Sequence, residues 1–367
     1  MKILAFRDGL RDPRNERVAQ IASNMGYDVE FLGIDTHDKA LPKSYFSKIQ
    51  TIKIRGIHRS GILNKNFLNN LREVIEDIDP DIIYAHDILF AKMIYQIKPN
   101  LLIMDDHEYW TEQIKYFRVN FSSGMKGGIK SFLSLNYLKQ KIPKWQKQIQ
   151  QNAVIVASSN QIKKKHELDG AKNVFYFPNM PTLDEVKSIN MKRKYEDDLY
   201  SSFVGRDMSI SKQRAYRNTK GLRNIFEDGK IGKLMVLGDD NLKNDNHLLS
   251  KGFLSHMKCY EELSRTHVGL LGFKSHPALG FKSAQKVHMY VHSGITPFVT
   301  PEQYNLLTYL QPMMLVYKDF MDLREKILKE KKVLFDKDNK SNIEWARKNL
   351  VLDNYKHNLK NAFDKIC

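Results

Sequence analysis

Residues 1–34 read MKILAFRDGLRDPRNERVAQIASNMGYDVEFLGI, and this stretch decides the fold. Lys2 to Arg7 is an apolar run of strand length. Asp12 has the side chain of a helix cap, and Pro13 suits the first helical position, where its missing N–H would find no partner anyway. Val18, Ile21, Ala22 and Met25 fall on one helical stripe before Gly26 stops the helix, and Asp28 to Ile34 is a second apolar run. Strand, helix and strand in this order make a β-α-β unit with parallel strands.

The same alternation continues outward. In the first half, strands are expected at Thr51 to Ile57, Ile82 to His86, Leu101 to Asp105, Ala153 to Ser158 and Asn173 to Phe177. In the second half they are expected at Ser201 to Gly205, Leu234 to Gly238, Lys251 to Leu254, Val268 to Phe273, Thr296 to Thr300 and Met313 to Tyr317. The expected class is therefore α/β, with two Rossmann-like, doubly wound domains facing a cleft. Pro178 and Pro181, followed by the polar stretch Thr182 to Asp198, read as the linker. The first domain is expected over 1–185 and the second over 186–340. Trp345, Ala346, Leu350, Tyr355, Leu359 and Phe363 mark helices in 341–367 that need an apolar partner and are expected to return to the first domain.

A chain of 367 residues is long enough for two cores, and 42% hydrophobic with 28% charged residues is a globular composition. Cys259 and Cys367 alone exclude a disulfide framework and suit a reducing compartment, so the cytoplasm is the expected location. The N-terminus turns charged too early for a signal peptide, and no apolar run has the length of a membrane span. The net charge of +17 is concentrated: from Gln113 to His166 there are eleven Lys or Arg and no Asp or Glu, with Tyr116, Phe117, Phe121, Phe132, Tyr137 and Trp145 interleaved. Such a face attracts anionic lipid, nucleic acid or phosphorylated ligands, and peripheral contact with the inner face of the cell membrane is the expectation carried forward.

An open α/β sheet binds ligands beyond the carboxyl ends of its strands. Gly9 follows the first strand, His86 and Asp87 end the fourth, and His107 and Glu108 follow the fifth. In the second half, Arg206 follows a strand and opens a basic loop that ends at Lys220-Gly221. Ser283 to Ser293 reads as a helix with Ser283 as cap and Ala284, Val287 and Val291 buried, placing Lys282 and Lys286 at its N-terminus, where phosphate binds. The plain alternatives are solvated surface cations for Arg206 and Lys220, a helix that only packs for 283–293, and helix capping for Asp87.

Taken in order, the Asp12-Pro13-Arg14 loop, Asp81-Ile82-Ile83-Tyr84-Ala85-His86-Asp87, Asp105-Asp106-His107-Glu108-Tyr109-Trp110, Val154 to Ser158, Phe177-Pro178-Asn179, Phe203-Val204-Gly205-Arg206, Val236-Leu237-Gly238-Asp239 and Lys286 to Gly294 resemble the GT-B glycosyltransferases. The resemblance is to the large retaining group that includes glycogen and sucrose synthases, and it covers nearly the whole chain. It implies a nucleotide-sugar donor, no cofactor and no metal, a diphosphate held by Arg206, Lys220 and Lys286, and His107 beside the donor sugar. The sequence departs from the group where a ribose-binding glutamate and a second glutamate eight positions earlier are common: Met289 and Phe281 stand there, and neither accepts a hydrogen bond from a hydroxyl.

Two other signals are set aside. His288 and His292 have the spacing of a metal pair but enclose Met-Tyr-Val with no glutamate, and Ser158-Ser159 and the cysteines lack a neighbouring base. The expected function is transfer of a sugar from a nucleotide sugar to a hydroxyl of a lipid-linked or polysaccharide acceptor, with retention. A nucleotide-sugar epimerase, an inactive GT-B partner subunit and a basic nucleic-acid-binding protein are the alternatives, the last being disfavoured.

Overall fold

The computed structural model describes residues 1–7, 13–34, 45–52, 65–117, 124–205, 216–282 and 285–367, and of 124–133 only the backbone course. Two parallel sheets result. The first contains β1 (Lys2–Arg7), β2 (Asp28–Ile34), β3 (Lys48–Ile52), β4 (Ile82–His86), β5 (Leu102–Asp106), β6 (Val154–Ala157) and β7 (Val174–Tyr176), in the order β3-β2-β1-β4-β5-β6-β7. The second contains β8 (Tyr200–Val204), β9 (Lys233–Leu237), β10 (Leu248–Ser250), β11 (Val268–Leu270), β12 (Thr296–Val299) and β13 (Leu315–Val316), in the order β10-β9-β8-β11-β12-β13. Strand order reverses direction between β1 and β4 and again between β8 and β11, so each sheet has one switch point where a crevice opens.

Local sequence explains the elements. The first helix runs Pro13–Asn24 with Val18, Ile21 and Ala22 buried, and Gly26, at φ +87°, takes the left-handed turn that ends it. Ile82 to His86 and Leu102 to Asp106 are buried throughout, as strands covered on both faces must be. Two expectations shift. The third strand begins earlier, at Lys48, and residues 53–57 lie outside the described set. Strand β10 lies at Leu248–Ser250 rather than 251–254, because Leu248 is the side chain that enters the core whereas Phe253 is 46% exposed.

Apolar clusters line both faces of both sheets. Of the segment 341–367, the helix Lys340–Asn349 packs against Gln285–His292 beside the second sheet, and Trp345 is 36% exposed. The helix Lys356–Phe363 packs on the first sheet, where Leu359, Ala362 and Phe363 are buried with Ile3, Ala5, Val18 and Tyr84. The two passages between the sheets are joined: Leu352 N–H donates to Pro181 O at 2.9 Å and Leu183 N–H to Asp353 Oδ2 at 2.7 Å. Removing residues 356–367 strips two large apolar side chains from the first sheet, each contributing about 1.5–3 kcal/mol. Urea unfolding of the truncated chain is expected to show a clearly lower midpoint; an unchanged midpoint would contradict this packing. Among the described residues no helix is long and apolar enough to cross a membrane.

Candidate active site

At the switch point of the first sheet, β4 ends in His86 and β5 in Asp105-Asp106, with His107 directly after. Arg14, on the first helix, reaches across and grips Asp105 with both arms of its fork, Nε to Oδ2 at 2.9 Å and Nη2 to Oδ1 at 2.8 Å. Its remaining N–H groups donate to Phe177 O at 2.9 Å and Pro178 O at 2.5 Å. Asp105 Oδ2 also meets His107 Nε2 at 3.0 Å and lies 3.2 Å from His86 Nδ1. Both rings and the ion pair are buried.

The environment splits the two histidines. Burial opposes charge on His107, but the Asp105 carboxylate outweighs it and raises the pKa above the ordinary value. Burial dominates at His86 and lowers its pKa, with Asp105 only partly opposing. Burial alone would raise Asp105, yet Arg14 and then His107 hold it well below the usual carboxylate range. The ligating atoms of His86, Asp105 and His107 lie within 4.8 Å of one another, a spacing a metal could use. Arg14 already occupies both oxygens of Asp105, so a dication there would sit against a guanidinium, and we assign no ion to the cluster. Behind it, His166 Nε2 bonds Asp106 at 2.7 Å and Ser158 Oγ donates to His107 O at 3.2 Å, fixing the strand end. Asp87 does not cap its helix: its side chain accepts from Trp110 Nε1 at 3.3 Å, and its φ of +64° is a left-handed conformation that costs a non-glycine residue about 1–2 kcal/mol.

Across the cleft, the edge of the second sheet gathers cations. The helix Gln285–His292 starts beside β8, and Lys286 Nζ lies over the Phe203 ring, 5.2 Å from its centre. Gly205 has φ +158°, and a Cβ there would stand 3.2 Å from Lys286 Nζ, so glycine leaves the ammonium room. Burial, then Arg217, then Lys282 push the Lys286 pKa down to about 7. Lys282 binds Glu108 Oε1 at 2.7 Å and lies over the rings of Tyr216 and Phe273. This pair joins the two halves, along with Tyr109 N–H to Phe281 O at 3.3 Å and Gln113 Nε2 to Ala278 O at 2.6 Å.

The structure thus brings His86 and His107 together on one side and Lys282 and Lys286 together on the other, with Glu108 bridging. Lys220 is exposed on the short helix Thr219–Asn224. Gly9, Arg206 and Ser283 lie outside the described residues. Met289 is 4% exposed within the apolar cluster beneath its helix, so its side chain serves packing, and Phe281 stands against Tyr109 with ring centres 6.2 Å apart. His288 and His292 are spent separately: His288 bonds Asn179 O and Tyr309 Oη, and His292 bonds Leu350 O. Reading the sequence missed Arg14, Asp105 and Arg217 as site residues. Arg14 and Asp105 stand inside quoted motifs, and Arg217 is three residues before Lys220, but nothing in spacing shows which cation faces the cleft.

Two doubly wound domains meeting across a cleft, each offering its switch point to it, define the GT-B fold. No protein-family model and no curated protein matches the sequence. Solved structures do match. The lipopolysaccharide outer core galactosyltransferase WaaB aligns with TM-score 0.58 and 12% identity over 99% of both chains. A glycosyltransferase from Rickettsia africae ESF-5 aligns with TM-score 0.59 and 12% identity over 100% of this chain and 98% of that one. A Listeria monocytogenes protein designated a UDP-N-acetylglucosamine 2-epimerase aligns with TM-score 0.55 and 13% identity over 99% and 95%. At such identities the likeness is one of fold.

Proposed function

We propose that this chain transfers a glycosyl unit from a nucleoside diphosphate sugar to a hydroxyl of a lipid-linked or polysaccharide acceptor, with retention and without a metal. The observation that carries the reading is the Lys286, Lys282 and Arg217 cluster, in which an ammonium is held near neutrality by burial and by its cationic neighbours. Such a group is stabilised by an incoming polyanion, and a diphosphate gains negative charge as its bond to the sugar breaks. In the reaction, the anomeric C–O bond breaks and its electron pair leaves with the diphosphate. The acceptor oxygen bonds to the same carbon on the same face, and its proton passes to the departing phosphate oxygen. In this reading His107 holds the sugar, and Glu108, which pairs with Lys282, stands between the sugar and the diphosphate.

A GT-B epimerase would use the same cations, and one fold neighbour carries that designation. Incubation with radiolabelled nucleotide sugars and glycan or lipid acceptors separates the two: a labelled glycoside supports transfer, and release of only free, epimerised sugar supports the alternative. The 29-residue helix Gly124–Asn152 lies in the acid-free stretch, with Tyr137, Lys144 and Lys147 exposed. This supports binding to an anionic membrane surface, each basic residue near the surface contributing about 1 kcal/mol. Cosedimentation is expected with anionic vesicles at low salt and to fade at high salt; equal partitioning onto neutral vesicles would defeat the electrostatic claim.

A further inference from the structure

We infer that Arg14 and Asp105 are positioning residues for His107: the guanidinium fixes the carboxylate, the carboxylate holds the ring by Nε2, and Nδ1 is thereby presented to the donor sugar. The inference rests on the transferase reading for its substrate but on geometry for its arrangement. Asp105 is a three-donor hub, taking Arg14 Nη2 on Oδ1 at 2.8 Å and Arg14 Nε and His107 Nε2 on Oδ2 at 2.9 and 3.0 Å, with His86 Nδ1 close by at 3.2 Å. A carboxylate so clamped cannot rotate, so the imidazole it grips has one orientation. His107 Nδ1 has no partner among the described residues, and the side chain keeps 10% of its surface exposed, which is the edge available to a ligand. His86 meets the His107 ring edge to face with centres 5.5 Å apart and blocks the alternative rotation.

The charges around His107 are accounted for by element. Asp105 and Asp106 on β5 and Asp87 after β4 favour the imidazolium, Arg14 on the first helix disfavours it, and His86 on β4, whose own pKa is lowered, adds little charge near neutral pH. When protonated, the ring donates from Nδ1 to a sugar hydroxyl or to charge that grows on the leaving oxygen, while Nε2 keeps its proton toward Asp105. The grip of Arg14 on Phe177 O and Pro178 O adds a second consequence, because these carbonyls open the passage to the second domain. The orientation of His107 is thus tied to the segment that leads from the first sheet to the second.

The test is histidine-labelled NMR of the full chain, with the His107 signal assigned through H107Q, alongside kinetics across pH. His107 in the unaltered protein is expected to titrate above about 6.5, the ordinary histidine value, with the neutral form protonated on Nε2. In Asp105→Asn the titration and the alkaline limb of kcat should move together to lower pH by about one unit or more, with KM for the donor changed less than about threefold. Arg14→Lys, which keeps the charge and loses the fork, should fall between. If D105N does not fold, the titration of the unaltered protein and of R14K decides. A His107 that titrates at or below the ordinary value, or that carries its neutral proton on Nδ1, overturns the inference. The expected titration with no donor turned over would leave the positioning intact and count against the transferase reading instead.

Discussion

Lys286→Met is expected to raise the thermal midpoint by a few degrees while weakening nucleoside diphosphate binding by roughly ten- to a hundredfold. Both effects have one cause. The ammonium is desolvated and crowded by Arg217 and Lys282, which holds its pKa to about 7 against about 10.4 for an unfolded lysine. The folded state therefore binds fewer protons than the unfolded state between these values, so stability rises as pH climbs from about 7 toward 10. Removing the amine relieves that penalty, and the pH-dependent rise should flatten. The same amine contributes a charge-assisted contact to a bound diphosphate, of about 1.5–3 kcal/mol. The ligand restores the proton that burial had weakened. Calorimetric affinity for nucleoside diphosphate should be level below about pH 7 and fall by up to tenfold per unit above it, with proton uptake visible as a buffer-dependent heat. An affinity independent of pH from 7 to 9, or undiminished in K286M, would remove Lys286 from the site.

The second large effect is on stability. Asp105→Asn leaves the Arg14 guanidinium buried without its counter-ion, and breaking a buried pair in this way costs about 3–5 kcal/mol. The double variant R14M/D105L, which removes both charges and keeps apolar volume, should recover most of that loss, because the desolvation of two ions disappears together. Acid should mimic the single variant. The folded pKa of Asp105 lies well below its ordinary value, so the pair's contribution is fully present above about pH 4 and is lost as pH falls through the folded value. Chemical denaturation at neutral pH checks the order of the variants; a D105N protein as stable as the parent would show that the pair does not carry the first sheet's switch point.

Much of this architecture is legible in the residues. The run from Lys2 through Gly26 to Ile34 carries both punctuation marks of a β-α-β unit, and the strands at Ile82 and Leu102 are legible because each opens on an unbroken apolar run, as strands buried on both faces do. Strand β10 is not, since a three-residue edge strand with one buried side chain has no period to detect. In the site, His107 and His86 are visible because strand ends of a parallel sheet face the crevice. Asp105 is hidden for the opposite reason: it is inside the strand, and its importance comes from Arg14, 91 positions away in the chain. Arg217 is hidden because a basic loop does not declare which of its cations turns inward. What sequence supplies is the edge on which chemistry can happen; which side chains converge there depends on contacts between distant segments.

The helix Lys356–Phe363, which closes one face of the first sheet, gives the chain a particular history during synthesis. Strands β1 to β7 are made by residue 176, but the surface that Leu359 and Phe363 cover stays bare until residue 363 has been made. At about 5–20 residues per second, that interval is on the order of ten to forty seconds. Throughout it the first half is a nascent intermediate with an open apolar flank, while the second sheet has every strand it needs from one continuous segment. Order of synthesis and order of completion are therefore opposite: the half made first is finished last, and a chaperone that binds nascent chains would be expected to hold the first half longest.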